Sequence, residues 1–438
     1  MELRSNLLDN YYPSTEEMEE VSNIYDVVSS EIVGRFGLET ELVGSSSRGT
    51  FVSGEGDIDV FVVFPEKVER DDMEDRGLKI GTEVFESVDA EHHVEYAEHP
   101  YVQGRIQGLE VEIVPCHDAQ PGKIKSSVDR SPHHSRWMQN NLAERQKEDI
   151  VLLKRMLDSA GLYGSSLKTR GFSGYLCELL VYQYGDLRSL LQKTQDWSRQ
   201  MRIDPADVDT GQWFESNFVV VDPVDPERNV AAVLSEDNLA RFMLLASDFE
   251  REPSAEFFEE TDHEPDRLAV RREIERRREV LALEFDVPDK PEDVIHPQMR
   301  RLQSKLVSAL ESEEFRVFES GFYLGQKARL VVEVDPDRTG VGGQRGPSVF
   351  HDSDHVEAFR DSHGQLYVED SRLMAREERD LTDVRQVIKR FTESDSNGVP
   401  DGLDSRLRHM CFVDPKSGDK DWFKFLEQLF HLENRWEK

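Results

Sequence analysis

The sequence predicts a multidomain α+β chain: a small mixed sheet with helices, a helical central domain, and a second α+β module that ends in a tail. Three observations carry this. The chain has 438 residues, and single cores stop growing near ~250–300 residues, so two to four domains are expected. Strand-like pieces fill its first quarter, a helical pattern follows, and strands return after residue 278, an order that fits α/β and α+β units joined by a helical one. Finally, 23 Phe, 11 Tyr and 5 Trp supply core material despite a net charge of −35, which argues against disorder.

The elements follow in order. Residues 14–36 read as a helix, because Ser14-Thr15-Glu16-Glu17 offers an N-cap with early acids and Met18, Val21, Ile24, Tyr25, Val28, Ile32 and Val33 recur at helical spacing. Strands are expected at Thr40–Val43, Ile58–Phe64, His93–Tyr96 and Leu109–Val114, with a helix near 74–88. From 136 to 193 the pattern is helical, a loop at Asp222-Pro223-Val224-Asp225-Pro226 opens onto a helix at 235–250, and 251–266 reads as a linker. An Arg-rich segment (267–278), a strand at 280–285, a helix at 292–312 and strands at 315–320 and 328–334 fit a module of ferredoxin-like or RNA-recognition type. Residues 336–348 read as a loop, and 371–392 and 421–435 as helices; Trp422, Phe423, Phe425 and Phe430 read as a core stripe.

Composition excludes several classes. A mean hydropathy of −0.62, with no apolar run near ~20 residues, excludes a transmembrane helix. The opening Met1-Glu2-Leu3-Arg4-Ser5-Asn6 lacks the apolar stretch of a signal peptide, so a cytoplasmic protein is expected. Cys116, Cys177 and Cys411 are too few and too scattered for a disulfide framework, and Cys116 and Cys177 read as core thiols. The acids are dispersed and Arg outnumbers Lys, as expected of a halophile's cytoplasm. Taken alone, the charge opposes nucleic-acid binding.

The informative stretch is Gly44-Ser45-Ser46-Ser47-Arg48-Gly49-Thr50, then Gly56-Asp57-Ile58-Asp59-Val60-Phe61-Val62-Val63-Phe64. On a strand Asp57 and Asp59 share one face, while Ile58 and Val60 take the other. Two adjacent carboxylates repel, and a hard divalent cation such as Mg2+ between them removes that cost. The Gly-Ser turn offers a hydroxyl and backbone N–H groups to a phosphate, and Arg48 offers a fork. A third carboxylate is available from Glu110 or Glu112 of Glu110-Val111-Glu112-Ile113-Val114. Each piece is common in so acidic a chain. Their order describes a metal-dependent nucleotidyltransferase palm.

With Tyr96-Ala97-Glu98-His99-Pro100-Tyr101, Ser127-Val128-Asp129-Arg130-Ser131-Pro132, Gly171-Phe172-Ser173-Gly174-Tyr175-Leu176-Cys177-Glu178 and Asp222-Pro223-Val224-Asp225-Pro226-Glu227-Arg228-Asn229-Val230 added, the chain resembles the archaeal, class I CCA-adding enzymes of the polymerase β superfamily over nearly its whole length. The resemblance implies a nucleotidyltransferase catalytic domain at 1–138, a helical base-recognition domain at 139–262, and an RNA-binding body and tail at 263–438. It implies that Asp57 and Asp59 bind Mg2+ and that Glu112 is the third carboxylate, although the family usually has Asp there and Glu110 stays an alternative. Ser45 and Arg48 look like triphosphate contacts. His134, with His133 as the alternative, Lys154 and Tyr163 match nucleotide contacts, Arg228 looks like the base reader, and His99 is a weaker candidate near the triphosphate. Without the resemblance, the bland alternatives are that Lys154 is a solvated helix residue and Tyr163 a packed aromatic. His92-His93 reads as surface.

The activity implied is template-independent addition of C, C and A to the 3′ end of tRNA from CTP and ATP, including repair of that end. Partners would be tRNA, through its acceptor end and TΨC arm, and the two nucleotides, with no membrane; a homodimer stays open. The Arg-rich segment at 267–278 is either an RNA contact or an ordinary helix whose arginines pair with Glu273 and Glu275. The competing functions are a poly(A) polymerase-like enzyme restricted to ATP and a non-catalytic RNA-binding module.

Overall fold

The computed structural model describes residues 2–432 apart from 97–98, 120–123, 125, 209–210, 261–262, 289, 337–339, 351–352, 379–380, 395–397 and 401. The chain divides into two compact units, with the boundary at residues 261 and 262.

The first unit opens with helices α1 (Glu2–Tyr11) and α2 (Thr15–Phe36). The start of α2 is fixed by a reciprocal capping box: Ser14 Oγ accepts from the Glu17 N–H at 3.2 Å, and the Glu17 carboxylate accepts from the Ser14 N–H at 2.7 Å. Strands β1 (Glu39–Val43) and β2 (Asp57–Phe64), helix α3 (Arg70–Ser87), and strands β3 (His92–Tyr96), β4 (Pro100–Ile106) and β5 (Leu109–His117) complete the palm. Its sheet has the order β1-β2-β5-β4-β3, with β2 and β5 parallel and the other neighbours antiparallel. Ile58, Val60, Val62 and Phe64 join the core formed with α2 and α3, while Phe61 packs in a separate cluster on the other face. Two-residue alternation therefore leaves Asp57 and Asp59 on the face away from the helices.

Helices α4 (Ser127–Asn141), α5 (Glu144–Ser159), α6 (Gly174–Tyr184) and α7 (Leu187–Lys193), the short strands β6 (Met201–Ile203) and β7 (Phe218–Val220), and α8 (Glu236–Arg251) follow. Helix α5 runs through their middle, buried from Asp149 to Leu157. The expected domain limit at residue 138 falls inside α4. The segment read as a linker is only partly one: Phe257 and Phe258 lie in the helical core, and the Phe258 carbonyl accepts from Arg155 Nε at 2.8 Å.

The second unit comprises α9 (Arg267–Arg276), β8 (Glu279–Phe285), α10 (Glu292–Ser312), β9 (Val317–Leu324), β10 (Ala328–Val334), β11 (Val341–Ser348), α11 (Ser353–Ser362), β12 (Gln365–Glu369), β13 (Arg372–Glu378), α12 (Val384–Glu393), α13 (Asp404–Leu407), β14 (Cys411–Val413) and α14 (Lys420–Leu429). Its four-stranded sheet runs β14-β8-β10-β9, all antiparallel. In chain order that is the 4-1-3-2 arrangement of a βαββαβ ferredoxin-like unit, as expected, with α10 and α12 in one core. Trp422, Phe423 and Phe430 are buried against its other face and Phe425 packs beside them, the core stripe expected; residues 433–435 of the expected last helix lie outside the described residues.

Two expectations fail here. Residues 341–348 are a strand, not a loop, because their glycines serve close packing: a Cβ on Gly343 would lie 2.6 Å from the Tyr367 hydroxyl, and one on Gly346 2.7 Å from the Leu373 carbonyl. Residues 372–378 are its partner strand rather than helix, with Leu373 and Ala375 buried at a two-residue period.

Candidate active site

Strand β2 lies between β1 and β5, and the parallel register sets Asp57 opposite Glu110 and Asp59 opposite Glu112. The turn after β1 closes over these acids. Gly44 has φ +72°, and a Cβ there would lie 2.0 Å from Asp59 Oδ2, so only glycine lets the backbone come so close. Ser47 Oγ donates to the Gly44 carbonyl at 2.9 Å, and Ser46 Oγ donates to the Asp57 carbonyl, which ties the turn to the strand.

The acids crowd one another. Loss of water and the neighbouring Asp57 and Glu112 carboxylates raise Asp59 well above its ordinary range. Loss of water, Asp57 and Glu110 raise Glu112 to about 7, against a hydrogen bond from Tyr101 that lowers it. Gln103 Nε2 donates to Glu110 at 2.5 Å and to Glu112 at 3.3 Å. Among the described residues no three His, Cys, Asp or Glu side chains already converge on a metal-ion position. The donor set still suits Mg2+, which commonly takes one or two carboxylates and completes its shell with water and substrate phosphate.

Ser45, Arg48, Asp57, Asp59, His134, Lys154 and Tyr163 line one cleft, together with Tyr175 and Glu178. Arg48 is not an open fork. Its Nε and Nη2 bond the buried Glu178 carboxylate at 3.2 and 3.0 Å, and Nη1 bonds Ser135 Oγ at 2.6 Å. Lys154 is 2% exposed, not a solvated helix residue; its Nζ donates to the Thr50 carbonyl at 2.8 Å and lies 3.9 Å from Glu178. Burial lowers the Lys154 ammonium, with Glu178 opposing that shift. Burial also works against the Glu178 carboxylate, but Arg48 and Lys154 outweigh it and hold the group below its usual range.

A second cluster meets the same cleft through His134 and Tyr175. His134 stacks on Tyr175 with ring centroids 4.0 Å apart, and its Nε2 lies 2.8 Å from Asp222 Oδ2. Arg228 Nη1 bonds the same oxygen at 2.9 Å, while Oδ1 accepts from the Val224 N–H at 3.0 Å and the Tyr175 hydroxyl at 3.3 Å. Burial pushes Asp222 up, but His134 and these donors pull it down to about 2. His133 instead meets the Ala119 carbonyl at 2.7 Å, which leaves His134 as the cleft residue of the pair. Neither Arg228 nor Asp222 lines the cleft itself; Arg228 is linked to it through Asp222, which holds His134 and Tyr175.

Other nominated residues lie elsewhere. His99 is buried against Glu74 at 2.9 Å and does not line the cleft; residues 97 and 98 of its motif lie outside the described residues. His93 is exposed and meets Glu95, as the surface reading expects, whereas His92 is half-buried and stacks on the buried Phe85. Cys116 and Cys177 are buried as core thiols. In the Arg-rich segment Arg277 bonds Glu273 and Glu333, Arg278 pairs with Asp335, and Arg267 and Arg271 lie over Phe423, so these four have partners within their own unit. Sequence reasoning missed Glu178, Asp222, Tyr175 and Ser135 as site residues. Glu178, Tyr175 and Asp222 stood inside the quoted motifs, which was the available signal.

Three sequence families match in succession: a nucleotidyltransferase domain over residues 27–134, the tRNA nucleotidyltransferase second domain over 148–259, and the CCA-adding enzyme C-terminal domain over 276–410. The CCA-adding enzyme of Methanocaldococcus jannaschii is 35% identical over 99% of this chain and 97% of its own length. The chain belongs to the CCA-adding enzymes. That of Archaeoglobus fulgidus is 36% identical over 88% of this chain and 87% of its own, and that of Halobacterium salinarum 40% identical over 73% and 71%. Among solved structures, the Cid1 poly(U) polymerase superposes with a TM-score of 0.49 at 14% identity, over 59% of this chain and 98% of that one. As a CCA-adding enzyme, the chain has its cleft in the portion matched by the first two families.

Proposed function

We propose that this chain adds C, C and A to the 3′ end of tRNA from CTP and ATP without a nucleic-acid template, and repairs ends that have lost them. The observation that carries this is one cleft holding the Asp57–Asp59 pair, the Gly44-Ser45 turn and the cationic side chains Arg48 and Lys154, in a chain whose residues 276–410 match the CCA-adding enzyme C-terminal domain. Labelled CTP and ATP offered to tRNA that lacks its CCA end test it. Incorporation of both supports the reading, and ATP incorporation alone would replace it with a poly(A) polymerase-like activity.

Asp57 and Asp59 would hold Mg2+, with Glu112 as the third carboxylate. When bound, the metal would neutralise triphosphate charge and acidify the terminal ribose hydroxyl. Glu112, set opposite Asp59 by the register of β5, would take the proton of that 3′-hydroxyl as the oxygen attacks the α-phosphate and pyrophosphate leaves. Ser45, Lys154 and Tyr163 would bind the triphosphate, with Arg48 contributing charge from behind Glu178. Of the two residues fixed on Asp222, His134 lines the cleft and would meet the base, and Arg228 would act on base choice from beside it, since without a template the protein must choose between C and A.

The domain division we favour keeps a catalytic domain at 1–138, a base-recognition domain at 139–262 and an RNA-binding body and tail at 263–438. The last would hold the acceptor end and TΨC arm by shape and phosphate contact. No described helix is long and apolar enough to cross a membrane, and we place the activity in the cytoplasm.

A further inference from the structure

Glu178 is fully buried on α6, yet its two oxygens are used unequally. Oε1 accepts from Arg48 Nε and Nη2 at 3.2 and 3.0 Å and from Thr50 Oγ1 at 2.6 Å, and lies 3.9 Å from Lys154 Nζ. Oε2 has no partner among the described residues. A buried ion pair is often no more stable than apolar side chains of the same volume, so stability alone does not account for Glu178 here. The partners come from two elements other than its own α6: the turn after β1 and α5. Two cations, Arg48 and Lys154, share this one anion in a cleft that Asp57 and Asp59 also line. Because the charges of Arg48, Lys154 and Glu178 are buried, they are screened far less by salt than a surface patch.

We propose that Glu178 is a positioning residue: the resident counter-ion that holds Arg48 and Lys154 ready for the triphosphate of an incoming nucleotide. It keeps two buried like charges together while the cleft is empty, and the triphosphate then shares them. The proposal rests on the reading of the cleft as a nucleotide site. Removing the carboxylate charge should destabilise the free protein but strengthen the pull on a polyanion.

The test uses the full chain, a metal chelator and inorganic tripolyphosphate as probe. Glu178→Gln should lower the unfolding temperature of the free protein and bind tripolyphosphate more tightly than wild type, on the order of tenfold for one partly screened charge near the phosphates. Its stabilisation by the probe should be correspondingly larger. Affinity equal to or weaker than wild type would reduce Glu178 to a structural residue and overturn the proposal. Should Glu178→Gln not fold, Lys154→Gln is compared with Glu178→Gln/Lys154→Gln; the double variant should bind the probe more tightly, and equal binding overturns the proposal. Lack of CTP incorporation by wild type, with the tripolyphosphate results as expected, would unseat CCA addition and leave Glu178 at an anion site.

Discussion

At the residue scale, the close approach of Gly44 to Asp59 is the most exacting contact in the cleft. Gly44→Ala places a methyl group 2.0 Å from Asp59 Oδ2 in a left-handed conformation. The turn must then move, and nucleotide addition should fall at least ~100-fold, the scale of a 1 Å misplacement at a reacting centre, while circular dichroism stays near wild type. Glu112 and Glu110 separate by substitution: Glu112→Ala should abolish addition yet leave tRNA binding nearly intact in a filter assay. Loss on Glu110→Ala instead would move the third carboxylate one register step along β5. Arg228→Ala should disturb the C-versus-A choice more than folding, and an unchanged preference would remove it from base reading. Glu112 also carries a pH signature. Its folded pKa of about 7 lies above the ordinary 4.5, so the protonated form is favoured by the fold. Its contribution is complete below pH 4.5 and is lost as pH rises through about 7. Urea unfolding of the metal-free protein should therefore show Glu112→Gln gaining on wild type between pH 5 and 8, with no gain near pH 4.

Elements differ in how much of themselves they state locally. Helix α2 and strand β2 were legible because their signals lie within a few residues: the Ser14–Glu17 capping box in one, two-residue alternation in the other. Strand β4 escaped notice since Pro100 and Gly104 look like breakers; Gly104 is there because a Cβ would lie 2.5 Å from the Glu91 carbonyl and 2.6 Å from the Phe85 ring. The glycines of β11 misled for the same reason, as their meaning resides in β12 and β13. The site divides likewise. Asp57, Asp59 and Gly44-Ser45 could be read from chemistry and spacing alone. Glu178 and Asp222 could not, because Glu178 meets Arg48 across 130 residues and Asp222 meets His134 across 88. The segment at 251–266 offers a test at this scale. Acidic and Pro-bearing, it reads as a linker, yet Phe258 is 1% exposed. Phe258→Ala should cost about 3–5 kcal/mol in a urea melt, as large core truncations do. A value near zero would restore the linker.

For the whole molecule, the charge of −35 sets the solvent in which these contacts must work. At low salt an acidic surface repels a tRNA as a whole, whatever the cleft offers. At about 1 M salt the screening length falls to roughly 3 Å, so distant acids stop mattering while touching groups keep their attraction. The contacts that survive are short and at least partly buried: Lys154 on Thr50, Arg48 on Glu178, His134 and Arg228 on Asp222. Arginine suits this regime better than lysine, since a planar fork bonds by geometry where a diffuse field is lost. A basic RNA binder making several phosphate contacts loses ~10³-fold or more in affinity between 50 and 200 mM salt. This chain should do the reverse over a wider range, with KM for tRNA falling or staying level as KCl rises from 0.1 to 1 M at fixed free Mg2+. A steep rise in KM over that range would mean that tRNA is held by a diffuse basic surface after all, and that the acids lie too far from its path to repel it.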